Sequence, residues 1–266
     1  MPSVAFAAEP ISTKTQAPKE IDLGRSVAVL PSTEENLLEK YFHDMYSPFV
    51  NPATLAVLAG GTLSTLTLVA THKDFEDKLL DDAAEAKPLG RYSVIGDYAG
   101  QMVPNVAYAA YQGLAYLFTK DKVAARRMEM MVRVTLAATT MSTILKATVR
   151  EPRPGNDHEL TSFPSGHTTS IFAFATTIAA MHGRYWGVAA YGLAGYVAFS
   201  RMNDNRHRLH DLTAGATLGS IYGLAIYERM RNAAVPSLKT AETGFQYDFT
   251  PVVTNDGGGV NFSATF

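Results

Sequence analysis

Eight residues of this 266-residue sequence have types and spacings that could do chemistry together: Lys146, Arg153, Ser165, Gly166, His167, Arg201, His207 and Asp211. They fall in three stretches. The first runs from Lys146 to Arg153-Pro154, the second is Phe163-Pro164-Ser165-Gly166-His167-Thr168, and the third runs from Ser200-Arg201 to His207-Arg208-Leu209-His210-Asp211. Taken singly, each has an ordinary explanation. A lysine near a helix end complements the macrodipole, Arg-Pro is a common helix exit, and a His–Asp pair four residues apart can be a surface contact. Taken together they describe an anion site with a nucleophile. Lys146, Arg153 and Arg201 supply fixed cations, and an arginine fork matches the oxygens of a phosphate. Ser165, Gly166 and His167 stand where a helix begins, so free amides and the positive dipole end favour an anion. Gly166 lets the backbone come close, and Ser165 adds a hydroxyl. Asp211 could accept from one ring nitrogen of His207 and leave the other neutral and nucleophilic. His167 could then protonate the leaving oxygen and later deprotonate water.

The elements that must carry these residues read as helices. Apolar runs at 53–71, 102–119, 122–148, 166–182, 185–200 and 208–231 are rich in Ala, Gly, Leu, Ile and Tyr, and most are apolar nearly all round. Ser32-Thr33-Glu34-Glu35 ahead of Leu37, Leu38, Tyr41 and Phe42 reads as a capped helix start. Pro152 and Pro154 stop the 122–148 helix and aim Arg153. Residues 72–91 are a charged stretch. Near the end, Phe245, Tyr247 and Phe249 alternate with polar residues. Asn255-Asp256-Gly257-Gly258-Gly259 is a turn, and Val260, Phe262, Ala264 and Phe266 alternate again, which predicts a β-hairpin. The expected fold is therefore an all-α bundle with a small C-terminal β-hairpin. Its parts are a signal remnant and arm at 1–35, a catalytic helical domain at 36–232 and the hairpin at 244–266.

Composition narrows the classes. The net charge of −2 gives no basic field for nucleic acid. The absence of cysteine excludes disulfides and thiolate metal sites. A mean hydropathy of −0.02 and mostly short apolar cores favour a soluble or membrane-surface bundle over an integral one, although 53–71 is long enough to span. Ala5-Phe6-Ala7 fits the end of a secretory signal and points to a periplasmic or other extracytoplasmic place.

The three stretches resemble the signature of the type 2 phosphatidic acid phosphatase (PAP2) superfamily, which includes class A acid phosphatases, lipid phosphate phosphatases and vanadium haloperoxidases. All eleven fixed positions match: Lys146, Arg153 and Pro154; Pro164, Ser165, Gly166 and His167; Ser200, Arg201, His207 and Asp211. The resemblance covers about residues 50–230. It implies a PAP2-type helical bundle in which His207 is the nucleophile of a phosphohistidine intermediate and His167 the general acid and base. Lys146, Arg153, Ser165, Gly166 and Arg201 would hold the phosphate, with no metal and no organic cofactor. The nine-residue linker 155–163 is compact, as in lipid-phosphatase-like members.

The expected partners are a phosphorylated substrate, lipid-linked by preference, and a membrane surface, with room for a homo-oligomer. Two rival activities stay open, a soluble broad-specificity acid phosphatase and a vanadium-dependent haloperoxidase. A non-catalytic phosphate- or lipid-binding module is disfavoured because His167, His207 and Asp211 are all present. A metal site on His207, His210 and Asp211 would share one helical face, but it lacks a further ligand and sits among cations. His210 reads as a neighbour of the site or a surface residue. Arg150, Arg206 and Arg208 read as added positive potential or as solvated charges. Asn156, Asp157 and His158 could touch substrate. Trp186, Tyr185, Tyr191 and Tyr196 read as core or interface aromatics.

Overall fold

The computed structural model describes residues 36–71, 75–156 and 158–232, and by backbone alone 233, 246–254 and 257–265. Residues 1–35, with the expected signal remnant and arm, lie outside the described residues. In chain order the helices are α1 (Leu37–Tyr46), α2 (Pro52–Ala70), α3 (Asp77–Ala86), α4 (Ser93–Gly100), α5 (Val103–Thr119), α6 (Lys122–Val149), α7 (Gly166–His182), α8 (Arg184–Asn203) and α9 (Leu209–Ala233). The six long apolar runs are all helices, within three residues of their expected bounds. α1 starts later than expected. Its cap is Asn36, which accepts from the Glu39 amide while Glu39 accepts from the Asn36 amide. The charged stretch 72–91 holds a helix, α3, and α4 follows it; neither is evident from apolar periodicity. What the structure establishes is the helical body; the hairpin expected over 244–266 stays an expectation.

Local chemistry sets the helix ends. Asn51 and Asp121 accept from the amides of Ala53 and Val123, and Ser165 caps α7 by accepting from the Thr168 amide. α6 ends at Val149, and Arg150 takes a left-handed conformation (φ 54°) ahead of the two prolines.

α7 is the central helix, packed against α9 on one side and α8 on another. One apolar cluster joins α6, α7 and α9 through Val134, Ala137, Ala173, Ile221 and Ile226, and a second joins α6, α7 and α8 through Met131, Ile171, Ala194 and Val197. Gly215, Gly219 and Gly223, four apart, form the face of α9 that meets α7. A Cβ on Gly219 would stand 2.4 Å from the Thr169 carbonyl oxygen and 2.6 Å from the Ala173 nitrogen. Those are backbone atoms that cannot swing aside. Gly219→Ala should therefore force the helices apart and lower Tm by roughly 5 °C or more. A melting curve superimposable on that of the parent would contradict this close packing.

α1 is fastened by charge. Buried Asp44 accepts a fork from Arg133 on α6 (2.7 and 2.8 Å) and a third bond from Arg229 on α9 (2.7 Å). Arg133, which breaks the apolar pattern of α6 in sequence, is explained by this pair.

The outer faces are apolar. Leu63 and Leu66 on α2, Tyr111 and Phe118 on α5, and Tyr185, Trp186 and Val188 on α8 are all exposed. Of the two alternatives for Tyr185 and Trp186, core or interface, their exposure removes the core one. They begin α8, where no other helix among the described residues covers them. Among the described residues α2 alone is long and apolar enough to cross a membrane by length and composition, and little of it is buried.

Candidate active site

The site is built at the start of α7 and α9. The Ser165 amide donates to the Asp211 carbonyl oxygen (3.0 Å), which docks the two helix starts together. His207 and Asp211 are not a pair on one helical face, as the spacing alone suggests. α9 begins at Leu209, so His207 lies in the preceding loop while Asp211 is in the first turn. The Asp211 carboxylate folds back and accepts from the Arg208 amide (2.9 Å), capping its own helix. That turn brings His207 back towards Asp211.

The His207–Asp211 contact is long, 3.5 Å from Nδ1 to Oδ2. Ser162 closes it. Its hydroxyl donates to Asp211 Oδ2 (2.7 Å) and lies 3.4 Å from His207 Nδ1. The Nδ1 edge of the ring is thereby occupied, and Nε2 is the nitrogen left for chemistry. His207 is buried, and burial holds its pKa below the ordinary value. Asp211 opposes that shift, while Lys146 and Arg153 add to it. The imidazole is therefore neutral at neutral pH. Burial alone would raise the Asp211 carboxyl. Hydrogen bonding from His207, then the charge of His210 and the Ser162 hydroxyl, outweigh burial and keep it ionised.

The cations are placed unequally. Lys146 Nζ donates to the carbonyl oxygens of Thr161 (2.7 Å), Ser162 (3.3 Å) and Pro164, so it holds the loop that carries Ser162 and Ser165. Burial, with Arg153 nearby, lowers its pKa to about 8. The Gly166 Cα faces its stem, with a virtual Cβ 3.6 Å from Lys146 Cε. Arg153 lies 2.9 Å from Glu159, and its amide donates to the Glu159 carbonyl, which closes the short linker on itself. Arg201, almost fully buried, donates to Asp97 and to Asp204 (3.1 Å).

His167, in the first turn of α7, stands with Nε2 3.2 Å from Asp97 Oδ1. Burial first, then Arg201, pushes its pKa down to about 4, against the pull of Asp97. One carboxylate thus sits on both Arg201 and His167. Burial works against ionisation of Asp97 too, but Arg201 and His167 hold its pKa below the ordinary value.

Asp97 and Ser162 are the partners that motif reasoning misses. A signal for Asp97 exists: it is a lone acid in an apolar run, between Gly96 and Gly100. A Cβ on Gly96 would stand 2.1 Å from Ser200 Oγ, and one on Gly100 would stand 2.5 Å from the His167 ring. Both glycines are what let α4 reach the site. His210 is buried, not at the surface. Arg206 and His158 are exposed, and Arg208 is half-buried against Asp77 (3.2 Å). Asp157 lies outside the described residues.

Residues 129–234 match the family model of the PAP2 superfamily, a stretch that holds all three motifs. Over that stretch the chain is similar to the PAP2 superfamily. A lipid A 1-phosphatase of Porphyromonas gingivalis is 38% identical over 65 residues, which are 23% of this chain and 15% of the relative's length. The crystal structure of Aquifex aeolicus LpxE is similar with a TM-score of 0.46 and 22% identity, over 58% of this chain and 97% of that one. Asp97 lies outside the PAP2 stretch, so a helix N-terminal to it completes the site.

Proposed function

We propose that the protein is a metal-independent PAP2 phosphatase that removes phosphate from a lipid-linked phosphomonoester or pyrophosphate through a phosphohistidine at His207. The observation that carries this reading is the buried, neutral His207 with its Nδ1 edge on Ser162 and Asp211 and with Lys146 and Arg153 close by. In the first half-reaction His207 Nε2 forms a bond to phosphorus. The bond from phosphorus to the leaving oxygen breaks, and that oxygen takes the proton of His167. In the second, neutral His167 takes a proton from water, whose oxygen attacks the phosphohistidine and frees both inorganic phosphate and His207. Arg153, Arg201, Ser165 and the amides of Gly166 and His167 would bind the phosphoryl oxygens. Lys146 fixes the Ser165 loop beside them. No metal or organic cofactor enters either step.

The relative that acts on lipid A and the apolar outer faces both favour a lipid-linked substrate met at a membrane surface on the extracytoplasmic side. The reading divides the chain into an arm (1–35), the catalytic bundle (36–232) and a hairpin pairing Gln246–Thr254 with Gly257–Thr265, and it admits a homo-oligomer. Brief reaction with radiolabelled phosphate ester, quenched in base, should leave label on histidine. Vanadate should compete with substrate, and EDTA should leave the rate unchanged. A panel of phosphatidic acid, phosphatidylglycerophosphate, undecaprenyl pyrophosphate, lipid A and small phosphomonoesters should favour the lipids. Equal turnover of small esters would replace the lipid reading with a broad-specificity one, and vanadate-dependent halide oxidation would replace it with a haloperoxidase.

A further inference from the structure

Beside the site lies one buried cluster of titratable groups that the two half-reactions do not use. His210 Nδ1 is 2.7 Å from Glu76 Oε2, and Nε2 is 2.8 Å from Glu151 Oε1. The His210 amide donates to the other oxygen of Glu76, itself fully buried. Asp211 Oδ1, which has no hydrogen bond, lies 3.6 Å from His210 Nε2. Each ring nitrogen faces a carboxylate oxygen, so each must donate, and only the imidazolium has two N–H groups.

We propose that His210 is a positioning residue: a buried imidazolium, gripped by Glu76 and Glu151, that fixes Asp211 and the Arg153-bearing segment around His207. The proposal rests on the reading of His207 as nucleophile and Asp211 as its orienter. Three separate parts of the chain meet at this ring. Glu76 leads into α3 and lies outside the PAP2 stretch, Glu151 stands two residues before Arg153, and His210 adjoins Asp211. The two oxygens of Asp211 have different tasks. Oδ2 serves Ser162, the Arg208 amide and His207. Oδ1 faces His210, so the cation favours ionised Asp211 without occupying the oxygen that His207 needs. The charged groups around the ring are Glu76, Glu151, Asp211 and Arg208, the last 3.8 Å from Glu151 and paired with Asp77. Burial alone would lower the pKa of His210. Glu151, then Glu76, and the charge of Asp211 reverse that and lift it to about 9, so the ring keeps its charge through neutral pH.

The test uses the full chain with His210→Phe and Glu76→Gln, checked for folding by circular dichroism. Folded His210→Phe should lose roughly 10- to 100-fold in kcat, the scale expected when a catalytic group is misplaced by about an ångström, with KM within about threefold. Its acid limb in the kcat–pH profile should move to higher pH, because Asp211 without the neighbouring cation holds a proton more readily. Glu76→Gln should move both readings the same way by less, and it decides the matter if His210→Phe does not fold. Unchanged kcat with an unmoved profile in the folded variants would overturn the proposal. So would uptake of one equivalent of zinc that His210→Phe abolishes, since His210, Glu151 and Asp211 lie close enough to share a metal ion. Labelling of histidine in the parent protein separates the two readings. Its absence would reject the phosphohistidine, whereas its presence beside kinetically normal variants would reject the positioning role alone.

Discussion

His207→Ala is expected to lower kcat by about 10⁴-fold or more, on the order of 5 kcal/mol of transition-state stabilisation, because the proposed reaction gives no other group among the described residues the task of attacking phosphorus. The fold should survive, for a stated reason. Asp211 would lose one partner but keep the Ser162 hydroxyl at 2.7 Å and the Arg208 amide at 2.9 Å, so no carboxylate is stranded. The removed ring is neutral in the resting protein, so no buried charge is left unpaired either. Circular dichroism and Tm within a few degrees of the parent, together with loss of label from histidine, would complete the result. Substantial turnover by a folded His207→Ala protein would dismiss the phosphohistidine and point to direct attack by water.

The order of the long helices was legible because each is a long apolar run ended by a cap or a proline. The candidate anion-site residues could be proposed from sequence because their chemistry is local: a helix start at Ser165, an arginine beyond a proline, a histidine four residues before an acid. What was not legible depends on contacts between distant parts of the chain. Asp97, 104 residues from Arg201, and Glu76, 134 from His210, carry no motif of their own. α3 is short and acidic, so its sequence reads only as part of a charged stretch until Leu80 is found buried against Met202 and Leu212. His210 was only half legible for a related reason. A histidine beside charged residues reads as a neighbour of the site or as a surface residue, and only the fold shows two carboxylates closing over it.

The unequal treatment of the cations bears on how the site waits for substrate. Arg201 and His167 share one carboxylate, Asp97. A phosphate dianion brings more charge than Asp97. On binding it would draw on Arg201 and raise the pKa of His167, charging the general acid only when there is a leaving group to protonate.

His167→Ala is therefore expected to cost about 10²- to 10⁴-fold in kcat on alkyl and lipid phosphates, the usual range for a lost general acid. The loss should be much smaller on a nitrophenyl phosphate, whose leaving group departs without a proton. That contrast distinguishes proton donation from phosphate binding, since a lost phosphate ligand would slow both substrates alike. Asp97→Asn tests the tuning. In the free protein burial and Arg201 hold His167 at about 4, and Asp97 is the group pulling the other way. Removing its charge lowers that pKa further, so at a given pH less His167 is protonated. The descending limb of kcat/KM, which reports the free enzyme, should move to lower pH, and the rate on alkyl phosphates near pH 6 should fall by roughly tenfold for each unit moved. Vanadate needs no proton from His167 and gains an uncontested Arg201, so its inhibition constant should stay the same or improve. An unmoved limb in folded Asp97→Asn would show that Asp97 does not govern the charge on His167, and weaker vanadate binding would show that it holds Arg201 in place for the anion.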